Sequence, residues 1–247
     1  MVSASLSGLP PELICRIFQS ADDFSVVAAL AKTARNFYKI WREHPTFICK
    51  AVAPHIISNL ADAEWLVDLQ EEAWDLRQNG CDDRAILRAK CLLFNARCAS
   101  AACETLTRLC RGSECWWNAD KSFTRRIDPG QSRVFTPSEL ADFEHVFYCI
   151  WAVGVMARAR HLREQSSAFL DRCDTLELGK LELFSSWLTH CYDKDYGSSG
   201  FKTWRAGCNL IYKRWSARYK DWLKGPVDGP EKRPVNVLGM NMSYSWR

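Results

Sequence analysis

The chain has 247 residues, of which 47% are hydrophobic and 25% charged, and it carries a net charge of +4 at pH 7. This balance excludes a chain disordered throughout, and the length allows a core that needs no disulfide or metal staple. Pro10, Pro11, Glu12 and Arg16 interrupt any signal-like apolar run, and the longest apolar patch, Val146 to Ala157, falls short of the about 20 residues that cross a bilayer; the expectation is a cytoplasmic and/or nuclear protein with no membrane contact.

The predicted elements are helices almost throughout. Pro10 and Pro11 suit a helix start, because first-turn amides have no intrahelical acceptor to lose and the ring presets φ. Glu12 then faces the positive helix end, and Leu13, Ile14, Ile17 and Phe18 recur at helical spacing as one apolar stripe. A second helix follows, with Asp22 as its cap and Phe24, Val27, Leu30 and Ala31 as its repeat. A third carries Phe37, Ile40 and Trp41; Pro45 marks a boundary, and Phe47, Ile48 and Val52 predict a brief helix ending before Pro54.

The run Leu9-Pro10-Pro11-Glu12-Leu13, with Ile17, Asp23-Phe24, Leu30 and Phe37 in register, resembles an F-box, and residues 31 to 41 look like the second half of the F-box found in many fungal proteins. The resemblance covers about residues 5 to 50. Two departures are visible: Thr33-Ala34-Arg35 stands where Val-x-Lys is usual, and the link between the first two helices is short. The resemblance implies three helices packed on a Skp-type adaptor, which bridges to a cullin, while the rest of the chain recruits an unidentified protein substrate for ubiquitin transfer. Leu9, Pro10, Leu13, Ile17, Leu30 and Phe37 would be the adaptor-facing or module-core positions. The expected organisation is an F-box over residues 1–54, a helical substrate-recruiting domain over 55–224 and a flexible tail over 225–247.

Beyond the F-box, residues 61 to 80 predict an acidic helix whose apolar side holds Ala63, Leu66, Val67, Leu69, Ala73, Trp74 and Leu76, with Gly80 to end it. Asp82 or Asp83 caps the next, which places Ile86, Leu87, Leu93, Phe94, Leu106 and Leu109 at apolar positions and has either a break or close packing at residues 99–103. Residues 112 to 136 form a long basic connection in which Trp116-Trp117 is a buried anchor. Thr136-Pro-Ser-Glu139 opens the central helix of the C-terminal region, with Leu140, Phe143, Phe147, Ile150 and Gly154 as its stripe, widened by Trp151 and Val155. Arg158, Arg160, His161 and Arg163 form its basic C-terminal end. Further helices run from Phe169 to Leu178, from Leu181 to Tyr192 and, after a polar loop, from about Phe201 to Leu223. The fold class is therefore all-α.

Twelve cysteines are expected to remain structural thiols, since no Cys-x-x-Cys occurs; Cys91, Cys98, Cys103, Cys110 and Cys115, at steps of seven and five, fit core-facing rows. No nucleophile elbow, phosphate loop, dinucleotide fingerprint or zinc motif is present, and the five histidines do not pair at ligand spacing. Hence no enzymatic activity, cofactor or metal is expected. A competing feature is the last helix, where seven cations oppose Asp221 alone over residues 201–224 and Trp204, Tyr212, Trp215, Tyr219 and Trp222 are interleaved. Lys213, Arg214 and Arg218 are the candidate polyanion contacts, for nucleic acid or an acidic partner. Because Trp204, Ile211, Trp215, Tyr219 and Trp222 share one stripe, docking of that stripe on the core is favoured over nucleic-acid binding.

Overall fold

A computed structural model describes residues 8–74, 84–111, 135–191 and 198–224. Among them are ten α-helices and no strand, so the protein is all-α. The Gly80 stop, the Asp82 or Asp83 cap, Trp116-Trp117 within the long connection, the polar loop at 193–197 and the tail from 225 lie outside the described residues, as do the side chains of Leu109, Cys110, His190, Cys191, Tyr219 and Trp222. The chain divides into two compact units: the described residues of Met1–Val67 with Arg77–Cys98, and those of Asp68–Leu76 with Ala99–Arg247. The expected boundary at residue 54 falls inside a helix.

The first unit opens with α1 (Pro11–Gln19), for which Pro10 sits at the N-cap and Pro11 at the first turn. Helix α2 (Phe24–Thr33) is capped by Asp23, not Asp22: its carboxylate accepts from the Ser25 amide at 2.5 Å. That geometry places the cap one residue before the first helical position, where its oxygen reaches an orphan amide. Ala34 alone, extended at φ −154°, turns the chain into α3 (Arg35–Glu43), and His44 alone turns it into α4 (Pro45–Ile56). Pro54 does not end α4 but lies within its last turn, where only one backbone hydrogen bond is forfeited. Ile14, Phe18, Ala21, Val27, Ala31, Phe37 and Ile40 form a core that also takes Ile48 and Val52, so α4 helps to close it beside the first three helices. Phe18 anchors it, with ring centroids 5.8 Å from Phe37 and 6.5 Å from Trp41.

Helices α5 (Leu60–Ala73) and α6 (Arg84–Arg111) each give their first part to the first unit and their last part to the second. Ala63, Leu66, Val67 and Leu69 are buried as expected, whereas Trp74, just past the end of α5, is 58% exposed. Helix α6 is unbroken through residues 99–103, because Ala99, Ala102 and Cys103 are small and fully packed. Its expected apolar positions divide: Leu106 is buried, but Leu87 and Phe94 point outward.

The second unit is built on α7 (Pro137–Arg158). The predicted capping box is present: Thr136 Oγ1 accepts from the Glu139 amide at 3.2 Å, and Glu139 Oε2 accepts from the Thr136 amide at 2.9 Å. The expected stripe is too narrow, since every residue from Val146 to Met156 is buried. This helix is long and apolar enough to cross a membrane, yet two-thirds (67%) of its most apolar window is buried by its own fold. It ends at Arg158; Ala159 is extended, and Arg160–Leu162 make a separate 3-10 turn before α8 (Arg163–Arg172), so Arg160, His161 and Arg163 are not its basic end. Helix α9 (Thr175–Cys191) starts behind a second reciprocal box, in which Asp174 Oδ1 accepts from the Glu177 amide at 2.7 Å and Glu177 Oε2 from the Asp174 amide at 3.0 Å. The break at Cys173-Asp174 replaces the single helix expected from 169 to 178.

Helix α10 (Ser198–Lys224) makes the most extensive packing contact of α7. Two glycines permit the approach: a Cβ on Gly154 would strike the Thr203 carbonyl, and one on Gly207 would lie 2.6 Å from the Ile150 oxygen. Phe147 packs on Trp204 with ring centroids 4.8 Å apart and planes tilted by 59°, while Phe143 meets Phe184 of α9 edge-on at 4.8 Å. Trp215 is buried beside Gly179 of α9, where a Cβ would come within 3.3 Å of the indole. The favoured docking of the last helix is thus the arrangement found for Trp204, Ile211 and Trp215.

Candidate functional site

The surface of α1 is where sequence and exposure coincide. The Leu13 amide bonds the Pro10 carbonyl at 3.0 Å, so Pro10 fixes the turn that presents Leu13. Pro10 is exposed and Leu13 is 43% exposed, while Ile14 and Phe18, about 100° and 140° further round the helix from Leu13, are wholly buried. Leu9 and Ile17 are half-buried against the core, and Ile17 lies one helical turn beyond Leu13. Leu30 of α2 is also half-buried, with its carbonyl accepting from Thr33 Oγ1 at 2.6 Å. Phe37 is 2% exposed, so it supports this surface from inside and has no direct contact to offer. Val26, Tyr38 and Phe47, at 43%, 55% and 60% exposure, are further large apolar side chains on α2, α3 and α4; periodicity singled out Phe47 alone, and as a helix-forming position without a side. Exposed side chains of this kind on short helices can bury area only against another molecule.

The basic helix offers different chemistry. Arg214 pairs with Asp171 at 3.0 Å, and Arg218 donates to the Cys173 carbonyl and, at 2.8 Å, to the Asp171 carbonyl. Both guanidinium groups therefore serve the C-terminal end of α8, whose last carbonyls lack intrahelical donors. Lys213 is exposed, as are Lys202, Arg205, Lys220 and Tyr212. Trp204 and Trp215 are buried, so neither indole can stack on a base. Periodicity placed these cations on the outer face; it carried no signal for the Asp171 carboxylate, 43 residues back from Arg214, or for the two carbonyls 45 and 47 residues back from Arg218.

Among the described residues no group of His, Cys, Asp and Glu could hold a metal ion. His145 Nε2 lies 3.6 Å from Cys149 Sγ, an i, i+4 pair that the spacing of the histidines among themselves does not reveal, but Cys149 is buried. Burial pushes the Cys49, Cys173 and Cys208 thiols up to about 11, and burial, helped by Glu144 and Glu104, pushes Cys103 up to about 12. Such thiols stay protonated at neutral pH and are poor nucleophiles. Cys91 and Cys98 are half-buried rather than core-facing, because their side of α6 turns outward with Leu87 and Phe94. Glu182 of α9 is a buried carboxyl that no motif announced: burial raises it to about 7, and its Oε2 has no hydrogen-bond partner.

No family model, no curated protein and no solved structure matches this chain.

Proposed function

We propose that the chain is the adaptor-binding, substrate-recruiting subunit of a Skp-cullin-F-box ubiquitin ligase, working in the cytoplasm and/or nucleus without catalytic residues of its own. The observation that carries this reading is the division within Leu9-Pro10-Pro11-Glu12-Leu13 and its helix: Pro10 and Leu13 are exposed, whereas Ile14 and Phe18 complete the core behind them. An F-box needs both a self-supporting core and an apolar outer surface for its adaptor. Leu9, Ile17 and Leu30 are half-buried against the same core, which Phe37 helps to fill.

The test is binding of the full chain to a purified Skp-type adaptor. Changing Leu9 and Pro10 together to Ala removes apolar contact and the preset helix start, and is expected to cost about 2–4 kcal/mol of adaptor affinity. Binding of the double variant at native strength, or no binding by the native chain, overturns the assignment. The alternative, a basic aromatic helix gripping nucleic acid or an acidic partner, keeps exposed cations such as Lys213 but loses Trp204 and Trp215 to the core.

A further inference from the structure

The first half of α6 presents an apolar stripe to solvent. At about 100° per residue, Leu87, Cys91, Phe94 and Cys98 project within about 60° of one another. Leu87 is 49% and Phe94 61% exposed, with the two thiols half-buried between them. The opposite face, Ala89, Leu92 and Ala96, is buried. Cations border the stripe on both sides: Lys90 and Arg97 along one edge, Arg84 and Arg88 along the other, and no acid occurs from residue 84 to 98. Three of the four, Arg84, Lys90 and Arg97, are exposed.

We propose that this face of α6 docks an acidic amphipathic helix of a partner protein. The spacing i, i+4, i+7, i+11 is the register in which one helix seats the apolar side chains of another, and the bordering cations complement carboxylates on the partner's flanks. A second copy of this chain is a poor occupant, because pairing the stripe with itself would set Lys90 and Arg97 against like charges. Nucleic acid would meet the cations but gain nothing from Leu87 and little from a single phenyl ring, since its affinity comes from phosphate neutralisation and from stacking on several aromatics. The site is separate from the α1 surface and does not depend on the adaptor reading; if both hold, it is a place to capture a substrate.

The experiment uses the full chain and a fluorescein-labelled peptide of about 18 residues, long enough to form a helix, with Leu at i, i+3, i+4 and i+7 and Glu at most other positions. Fluorescence anisotropy is expected to show saturable binding that weakens at least tenfold in Phe94→Ser and, separately, in Leu87→Ser. Both residues are exposed, so circular dichroism melting should match the native chain. Lys90→Glu with Arg97→Glu should also weaken the acidic peptide at least tenfold, and should create binding to the same peptide with Lys in place of Glu. Absence of saturable binding overturns the proposal. Equal binding of a scrambled peptide of the same composition overturns it in favour of simple polyanion attraction, as does full competition by single-stranded DNA. A dimer in sedimentation velocity that Phe94→Ser dissolves overturns it in favour of self-association.

Discussion

Helices α1 and α7 read alike in the sequence, each as an amphipathic stripe behind a proline-marked start, and the fold treats them oppositely. Helix α1 is one-sided: Ile14 and Phe18 are wholly buried while Leu13, immediately before Ile14, is 43% exposed. Helix α7 is enclosed on every side from Val146 to Met156, and its glycine at 154 lets α10 cross almost backbone to backbone. The difference teaches where to look for each property. Substitutions from Val146 to Met156, and of the side chains packed against them, should act through stability, because that stretch has no outer face left to recognise anything. Substitutions on the outward side of α1 should act through binding, because little of the core depends on them.

The largest expected effect lies in the enclosed unit. Trp215→Ala removes a buried indole between α10 and α9 and should destabilise the protein by about 3–5 kcal/mol in urea unfolding. A loss below about 1 kcal/mol would mean that the α9-α10 contact is not part of the core.

The buried carboxyl of Glu182 makes the same unit sensitive to pH. Its protonation midpoint rises from 4.5 to about 7 because burial disfavours the charged form. The folded protein therefore holds a proton that the unfolded chain releases, so this stabilisation is complete below about 4.5 and is lost as pH rises through about 7. At about 1.4 kcal/mol per pH unit, the difference across that window is on the order of 3 kcal/mol. Glu182→Gln, which mimics the protonated form, should flatten the stability profile between these limits, as read by thermal melts at several pH values; an unaltered slope would contradict the burial argument.

A smaller effect separates two kinds of cation on α10. Arg218→Ala takes two donors from carbonyls at the end of α8 and should cost about 1–2 kcal/mol, whereas Lys213→Ala, at an exposed position, should stay within about 0.5 kcal/mol. Equal urea midpoints for the two variants would show that Arg218 is as dispensable as a solvated charge.

Much of this was legible because it is local. The capping box at Thr136 and Glu139, the proline start at Pro11 and the all-α class each follow from residues within one turn of each other. What was not legible depends on which elements meet. Gly154 was read as one more position on a stripe, and only the approach of Thr203 reveals why a side chain cannot stand there. Periodicity alone turns Arg214 and Arg218 outward, because nothing near them in sequence names the Asp171 carboxylate that Arg214 meets or the Asp171 and Cys173 carbonyls that Arg218 meets. Leu87 and Phe94 were read as apolar positions without a side, since periodicity tells which residues share a face but not whether that face is inside. For the candidate adaptor surface, the motif gave the residues and the fold divided them into Pro10 and Leu13 outside and Phe37 within.

The smallest change in stability should accompany the most direct test of the functional claim. Leu13 is the third residue of α1, where a carboxylate favours the helix dipole, so Leu13→Asp should leave the melting profile within about 0.5 kcal/mol of native. The same charge placed in an apolar contact should weaken binding to a Skp-type adaptor at least tenfold, measured by calorimetric titration of the full chain. Adaptor affinity equal to that of the native protein, in a variant that melts normally, would contradict the claim that the outward side of α1 is an adaptor-binding surface.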